Sequence, residues 1–299
     1  MENSIKEKRS IWNLPFIPVL ECVIIFGFLI VQSLVQMFLY SKIPTDNGFL
    51  ITLAEYAVTI IPWILIVVYA YVVKPDRPTL RGLGKKVKGN NFKNALIGLV
   101  VGVAMNAACV IAAILNKDIA LCFNHMGIVK MIGASLILFF AVFIQSSSEE
   151  LICRGFLYQR FRKTCKSPVI AIAAPSLLFG MLHLSNSGIT VLSFANIVII
   201  GLFFALMVHY CDSFWMACMV HTGWNFSQSI LFGLPNSGRI SPFSIFKLDA
   251  ASARDSFAYN VGFGVEGTLF ACILITVVFI GLLIYGIKTK KQPTPVWED

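Results

Sequence analysis

Three short patterns in this 299-residue sequence set ionisable side chains among apolar neighbours: Glu149-Glu150-x-x-x-Arg154, Phe179-x-x-x-His183 and His221-x-x-x-Asn225. A charged group at membrane depth costs at least about 2.5–3.5 kcal/mol, so function is the default reading of one. Residues four apart on a helix share a face, which lets Glu150 pair with Arg154 along its own helix. Glu149 lies about 100° round from Glu150 and has no counter-charge on its own helix. A carboxylate and a histidine facing one water can deprotonate it for attack on a carbonyl. The remaining histidine and the Asn225 carboxamide can donate to the oxyanion that develops, assistance worth about 2.7–4 kcal/mol per donor in acyl-transfer sites. The same set, Glu149, His183 and His221, also matches three protein ligands of a catalytic zinc with one open position. Spacing leaves one zinc ion and no metal as equal readings. The chain has no HExxH motif and no glycine loop of the kind that cradles phosphate.

The elements that must position these groups follow from composition. Hydrophobic residues make up 57% of the chain and charged ones 13%, against about 25% charged in soluble domains. So little charge cannot cover a soluble surface, and the mean hydropathy of +0.79 puts the chain in a bilayer. The net charge of +9 carries no nucleic-acid footprint, because the basic residues sit in short stretches between apolar runs. Eight such runs are expected to span: 19–40, 50–73, 92–115, a long one from 127, 168–184, 189–209, 213–232 and 267–287. The fold class is therefore an all-α polytopic bundle of about eight transmembrane helices.

Basic residues give its orientation. Lys74, Arg77, Arg81, Lys85, Lys86, Lys88 and Lys93 crowd the second connection, Arg160, Arg162, Lys163 and Lys166 the fourth, and Lys288, Lys290 and Lys291 the C-terminal end. The positive-inside rule puts all three, and both termini, in the cytoplasm. Lys6, Lys8 and Arg9 precede a run too long for a signal peptide, so it reads as a retained first span. The organisation expected is a cytoplasmic segment over 1–18, three helices over 19–125, a core of helices four to seven over 126–232, an extracytoplasmic loop over 233–266, and a last helix with a short solvated tail over 267–299. Counted at about 1.5 Å per residue from Arg160, Pro168 and Ser213, Glu149 lies about 16 Å deep, His183 about 22 Å, His221 about 12 Å and Asn225 about 18 Å. Three helices can thus bring one carboxylate, two imidazoles and a carboxamide to a common cavity.

Other residues have plainer readings. Glu21 and Glu55 fall near the ends of their runs and pair at the interface; His125 and His209 sit in or beside connections. Pro62 and Pro175 kink helices. The eight cysteines, without a CxxC pair, are small buried hydrophobes, and Cys153 has no histidine beside it in sequence to make it a nucleophile.

Taken in order on three spanning helices, the motifs resemble those of the CPBP family, the CaaX-protease and bacteriocin-processing, or Abi, intramembrane proteases, which include Rce1-type prenyl-protein endopeptidases. The resemblance covers roughly residues 130–230. It implies a membrane endopeptidase in which Glu149 is the base for water, His183 its partner, His221 and Asn225 the oxyanion pocket, and Glu150 and Arg154 structural support. The family is described both as zinc-dependent and as metal-free, which leaves the cofactor question where spacing left it. The implied partners are a peptide or membrane-anchored protein substrate, CaaX-like, prepeptide or bacteriocin-type, and the lipid bilayer of a bacterial plasma membrane. The alternative is a non-proteolytic protein of bacteriocin self-immunity or sensor-kinase regulation that uses the same cavity. A proton-linked transporter is weaker still, since no inverted repeat is detectable.

Overall fold

A computed structural model describes residues 11–165 and 167–298; Lys6, Lys8, Arg9 and Lys166 fall outside them. Among the described residues the fold is a bundle of ten α-helical segments with one small two-stranded antiparallel sheet, and six helical stretches are long and apolar enough to cross a membrane. These are Ile17–Tyr40, Gly48–Val72, Phe92–Leu115, Ile128–Thr164, Val191–Tyr210 and Leu269–Thr289. It is a multi-pass membrane protein by that measure. The outward faces carry bare apolar side chains such as Val23, Phe26, Met37 and Ile273, as lipid contact requires.

The first stretch is α1 (Ile17–Tyr40). The second is two helices, α2 (Gly48–Ala57) and α3 (Ile60–Val72), separated by a turn at Val58–Thr59. Pro62 explains the break, because its ring crowds the carbonyl four residues back, that of Val58. Asn47 caps the N-terminus of α2, and Asn91 that of α4 (Phe92–Leu115), each with a side-chain oxygen on a free backbone N–H. The long fourth stretch comprises α5 (Ile128–Glu150), a π-helical segment over Leu151–Leu157, and α6 (Tyr158–Thr164). After it come α7 (Pro168–Leu182), α8 (Val191–Tyr210), α9 (Phe214–Phe226) with a π-helical extension over Ser227–Leu231, and α10 (Leu269–Thr289).

The fifth and seventh of the eight expected spans, 168–184 and 213–232, fall within two residues of the helical stretches 168–182 and 214–231, the second including its π-helical end. Helix α7 has 15 residues and gives way to a turn through Ser185–Gly188, where Gly188 has φ +73°. Regular helix in α9 ends after 13 residues. Helix α9 is an inner helix, burying Ala217, Cys218, Val220, Thr222 and Gly223 on several faces, whereas α7 keeps Val169, Leu177 and Met181 exposed on one side. A helix wrapped by protein can be short and polar, because its groups meet partners and not lipid.

One close contact sets the position of α9. Side chains on Gly98 and Gly102 of α4 would collide with the carbonyl oxygens of Met216 and Val220, and one on Gly223 with that of Leu99. Small residues four apart let the two backbones touch, as in closely crossed membrane helices.

The two ends differ. At the basic end Arg160 is buried against Glu21 (2.8 Å) and Asp76 (3.0 Å), so it is a paired core residue and not a free interface marker. The tail, expected to be solvated, folds back there: Arg162 donates to the carbonyls of Pro293 and Thr294, Thr294 donates to Asp212, and Val296 is buried. Trp297 accounts for this, since its ring lies 5.6 Å from the Arg160 guanidinium and 5.5 Å from the Lys163 ammonium. At the opposite end the connections interlock. Strand β1 (Leu121–Phe123) pairs antiparallel with β2 (Phe246–Leu248), with Cys122 opposite Lys247, and Arg254 reaches Asp118 at 3.2 Å.

Candidate functional site

Each side chain singled out in sequence lies at or beside one cavity of about 330 Å³ inside the bundle, the two supporting residues just behind its wall. Glu149, at the end of α5, is 30% exposed towards it; its Oε1 accepts a 2.6 Å hydrogen bond from Gln145 Nε2, one turn back. Its Oε2 has no hydrogen-bond partner and lies 3.7 Å from His221 Nε2. Adjacent Glu150 is fully buried and points the other way. There Oε1 accepts from Arg154 Nη1 at 3.1 Å and meets His221 Nδ1 at the same distance. The expected pairing along one helix is present.

Arg154 is held on every side. Its Nη2 donates to the Gly201 carbonyl of α8 at 2.7 Å, and the guanidinium lies over the rings of Phe179 and Phe204. This explains Phe179 of the second motif: it covers the arginine and meets the His183 ring at 4.8 Å between centroids. His221 is stacked on Phe204 at 5.3 Å. His221 thus faces Glu150 through Nδ1 and Glu149 through Nε2, a carboxylate at each ring nitrogen.

The other two residues sit further round. His183 caps the C-terminus of α7 and its Nδ1 contacts the Phe179 carbonyl at 2.8 Å, which turns Nε2 away from that helix. Asn225, one turn beyond His221, donates through Nδ2 to Gln145 Oε1 at 3.0 Å. The structure differs from expectation in one pairing: among the described residues, His221 and not His183 is the imidazole within ion-pair distance of Glu149. Phe179 lies beside both imidazoles, its ring 4.8 Å from that of His183 and 6.0 Å from that of His221.

The fit of a zinc ion can be judged on the donors. Glu149 and His221 approach each other, but no group of three or more His, Cys, Asp or Glu side chains able to hold a metal comes together among the described residues. The Glu149–His183–His221 ligand set is therefore not assembled here.

Sequence reasoning missed three contributors. Gln145 bridges Glu149 and Asn225, and its signal was available as a polar residue four before Glu149 in an apolar run. Ser148 lines the cavity beside Glu149. Glu266, assigned to an external loop, lines it too, held by the Ser237 backbone N–H and the Trp224 side chain. Burial raises its carboxyl to about 7.

Comparison with known proteins bears on the same helices. Residues 131–227, about a third of the chain, match the family described as type II CAAX prenyl endopeptidase Rce1-like. A 64-residue stretch is 42% identical to the uncharacterized protein YyaK of Bacillus subtilis, covering 21% of this chain and 20% of that protein. No solved structure matches. The helices that carry Glu149, His183, His221 and Asn225 are thus the part of the chain that is similar to the Rce1-like family.

Proposed function

We propose that this protein is an intramembrane endopeptidase that hydrolyses a peptide bond of a membrane-associated substrate in a bacterial plasma membrane. The observation that carries the reading is the placement of neighbouring carboxylates: Glu150 is fully buried behind the wall with its Oε1 on Arg154 and His221, while Glu149 lines the cavity with Oε2 unpartnered 3.7 Å from His221 Nε2. An unsatisfied acceptor facing a polar cavity is where a water would sit.

In this scheme Glu149 accepts a proton as that water attacks the peptide carbonyl carbon. The proton then passes to the leaving amine nitrogen as the C–N bond breaks, giving a free carboxylate and a free amine. His221, oriented by Glu150, stabilises charge beside Glu149, and His183 and Asn225 face the reacting carbonyl as hydrogen-bond donors. Glu150 and Arg154 act through His221 and are positioning residues. No step runs through a metal.

The test compares peptide termini in membrane and secreted fractions from cells carrying wild type or Glu149→Gln at matched protein levels. Loss of a general base lowers rate by about 10²–10⁴-fold, so termini made by this protein should vanish in the variant. Identical termini, with any cellular phenotype retained, would replace proteolysis with peptide capture or an immunity role in the same cavity.

A further inference from the structure

The cavity does not reach the basic end of the bundle. Below Glu149 the π-helical segment is packed shut, with Ile152, Cys153, Phe156 and Leu157 all at most 2% exposed. Beneath that lie the buried Arg160–Glu21–Asp76 cluster and the folded-back tail with Val296. In the other direction the lining is continuous with the interlocked connections. It passes Gln32 and Gln36 on the far half of α1, Glu55 on α2, and Asn236, Arg239 and Glu266 of the 233–266 loop. Arg239, 64% exposed, pairs with Glu55 at 3.3 Å at this rim. The polar wall therefore runs from the site to the end that lacks the Lys and Arg clusters.

The chain's basic residues orient the bundle with the sealed end in the cytoplasm. We infer that the site is entered from the extracytoplasmic face, and that its substrates are extracytoplasmic peptide segments of exported or membrane-anchored chains, admitted in extended form along an amide-lined vestibule. The access route stands on geometry and charge alone; the substrate class rests on the peptidase reading. Gln, Asn and Ser side chains suit this occupant, because they can pair with the alternating N–H and C=O groups of a peptide backbone without demanding a charged sequence.

Thiol labelling with a membrane-impermeant maleimide, in right-side-out and inverted vesicles, tests the route. Cys122, exposed on β1, reports the capped end in the wild type. In a Cys122→Ser background, Gln32→Cys reports the vestibule and Lys290→Cys the basic end, with Ser33→Cys replacing Gln32→Cys where the latter is not recovered in the membrane. The expected result is labelling of Cys122 and the vestibule thiol in right-side-out vesicles, with loss of both signals in inverted ones, and the reverse for Lys290→Cys. A vestibule thiol that reacts only in inverted vesicles, or in neither, overturns the route, as does a bundle whose Cys122 labels only when inverted. For the substrate class, termini lost in Glu149→Gln should map to extracytoplasmic segments, and termini in cytoplasmic segments would overturn it. Should no termini be lost, the peptidase reading fails while the labelling result stands.

Discussion

The two ends of this bundle bury charge in opposite ways. At the basic end, buried Arg160 meets two buried carboxylates, a backbone carbonyl of Trp12 and the half-buried Trp297 ring. Around the cavity, Glu149 Oε2 is left unpartnered, and half-buried Glu266 is held by Ser237 and the Trp224 side chain with no cation at ion-pair distance among the described residues. A cation set between two buried carboxylates yields a plug, even though neither Asp76 oxygen has a hydrogen-bond partner. At the cavity, incomplete pairing leaves polar groups poised for a ligand, at some cost in stability.

The largest effect should follow from breaking the plug. Arg160→Met leaves Glu21 and Asp76 buried without a counter-charge and should cost about 3–5 kcal/mol, read as a fall in Tm in detergent micelles. Replacing all three together, with Glu21→Gln and Asp76→Asn added, should recover most of the loss, since an intact apolar substitute is often no worse than the ion cluster. If the triple variant is as unstable as the single one, the ions are not what closes this end.

A smaller loss is expected at the capped end. Burial works to raise the Asp118 carboxyl, but hydrogen bonds from Ser256, Asn116 and Arg254, with the Arg254 charge, hold it below the ordinary range. Asp118→Asn should cost about 1–3 kcal/mol of stability at neutral pH, less than Arg160→Met because Arg254 remains hydrated. A depressed carboxyl stabilises above its unfolded value and loses that contribution as pH falls, so the gap between wild type and variant should close in acid.

Glu266 gives the opposite sign. Its carboxyl is raised to about 7, so the folded state favours the protonated form, and that stabilisation is lost as pH rises through 7. Glu266→Gln should leave Tm nearly unchanged at pH 5 and raise it relative to wild type at pH 8. His221, Tyr56 and Cys109 are the titratable groups near enough to feel the change. The smallest stability effect belongs to Glu149→Gln, within about 0.5 kcal/mol of wild type, because the Gln145 hydrogen bond can be kept by an amide oxygen. A large destabilisation there would make Glu149 part of the plug and not of the open site.

Much of this was legible in sequence, and for particular reasons. Helical spacing predicts the Glu150–Arg154 pair, found at 3.1 Å, and depth counting brings His183, His221, Asn225 and Glu149 to one level, where the cavity holds all four. What spacing does not carry is the placement of one helix against another, and with it that His221 and not His183 is the neighbour of Glu149. Hydropathy placed α7 and α9 to within two residues but hid the π-helical turn that ends α9. It also hid Glu266, because a polar loop that dips back into a bundle has the composition of one that stays in water.

The buried residues of α1 have a mechanical consequence. They are Ile17, Pro18, Glu21 and Ile25, all in its first nine residues, while the half that bears Gln32, Ser33 and Gln36 buries none. Across the cavity, α9 is clamped backbone to backbone against α4 through Gly98, Gly102 and Gly223 and has no slack. The enclosure is therefore stiff on the histidine side and compliant on the other. A tilt of α1 about the Glu21–Arg160 contact would thus move the distal wall most and the His221 imidazole least.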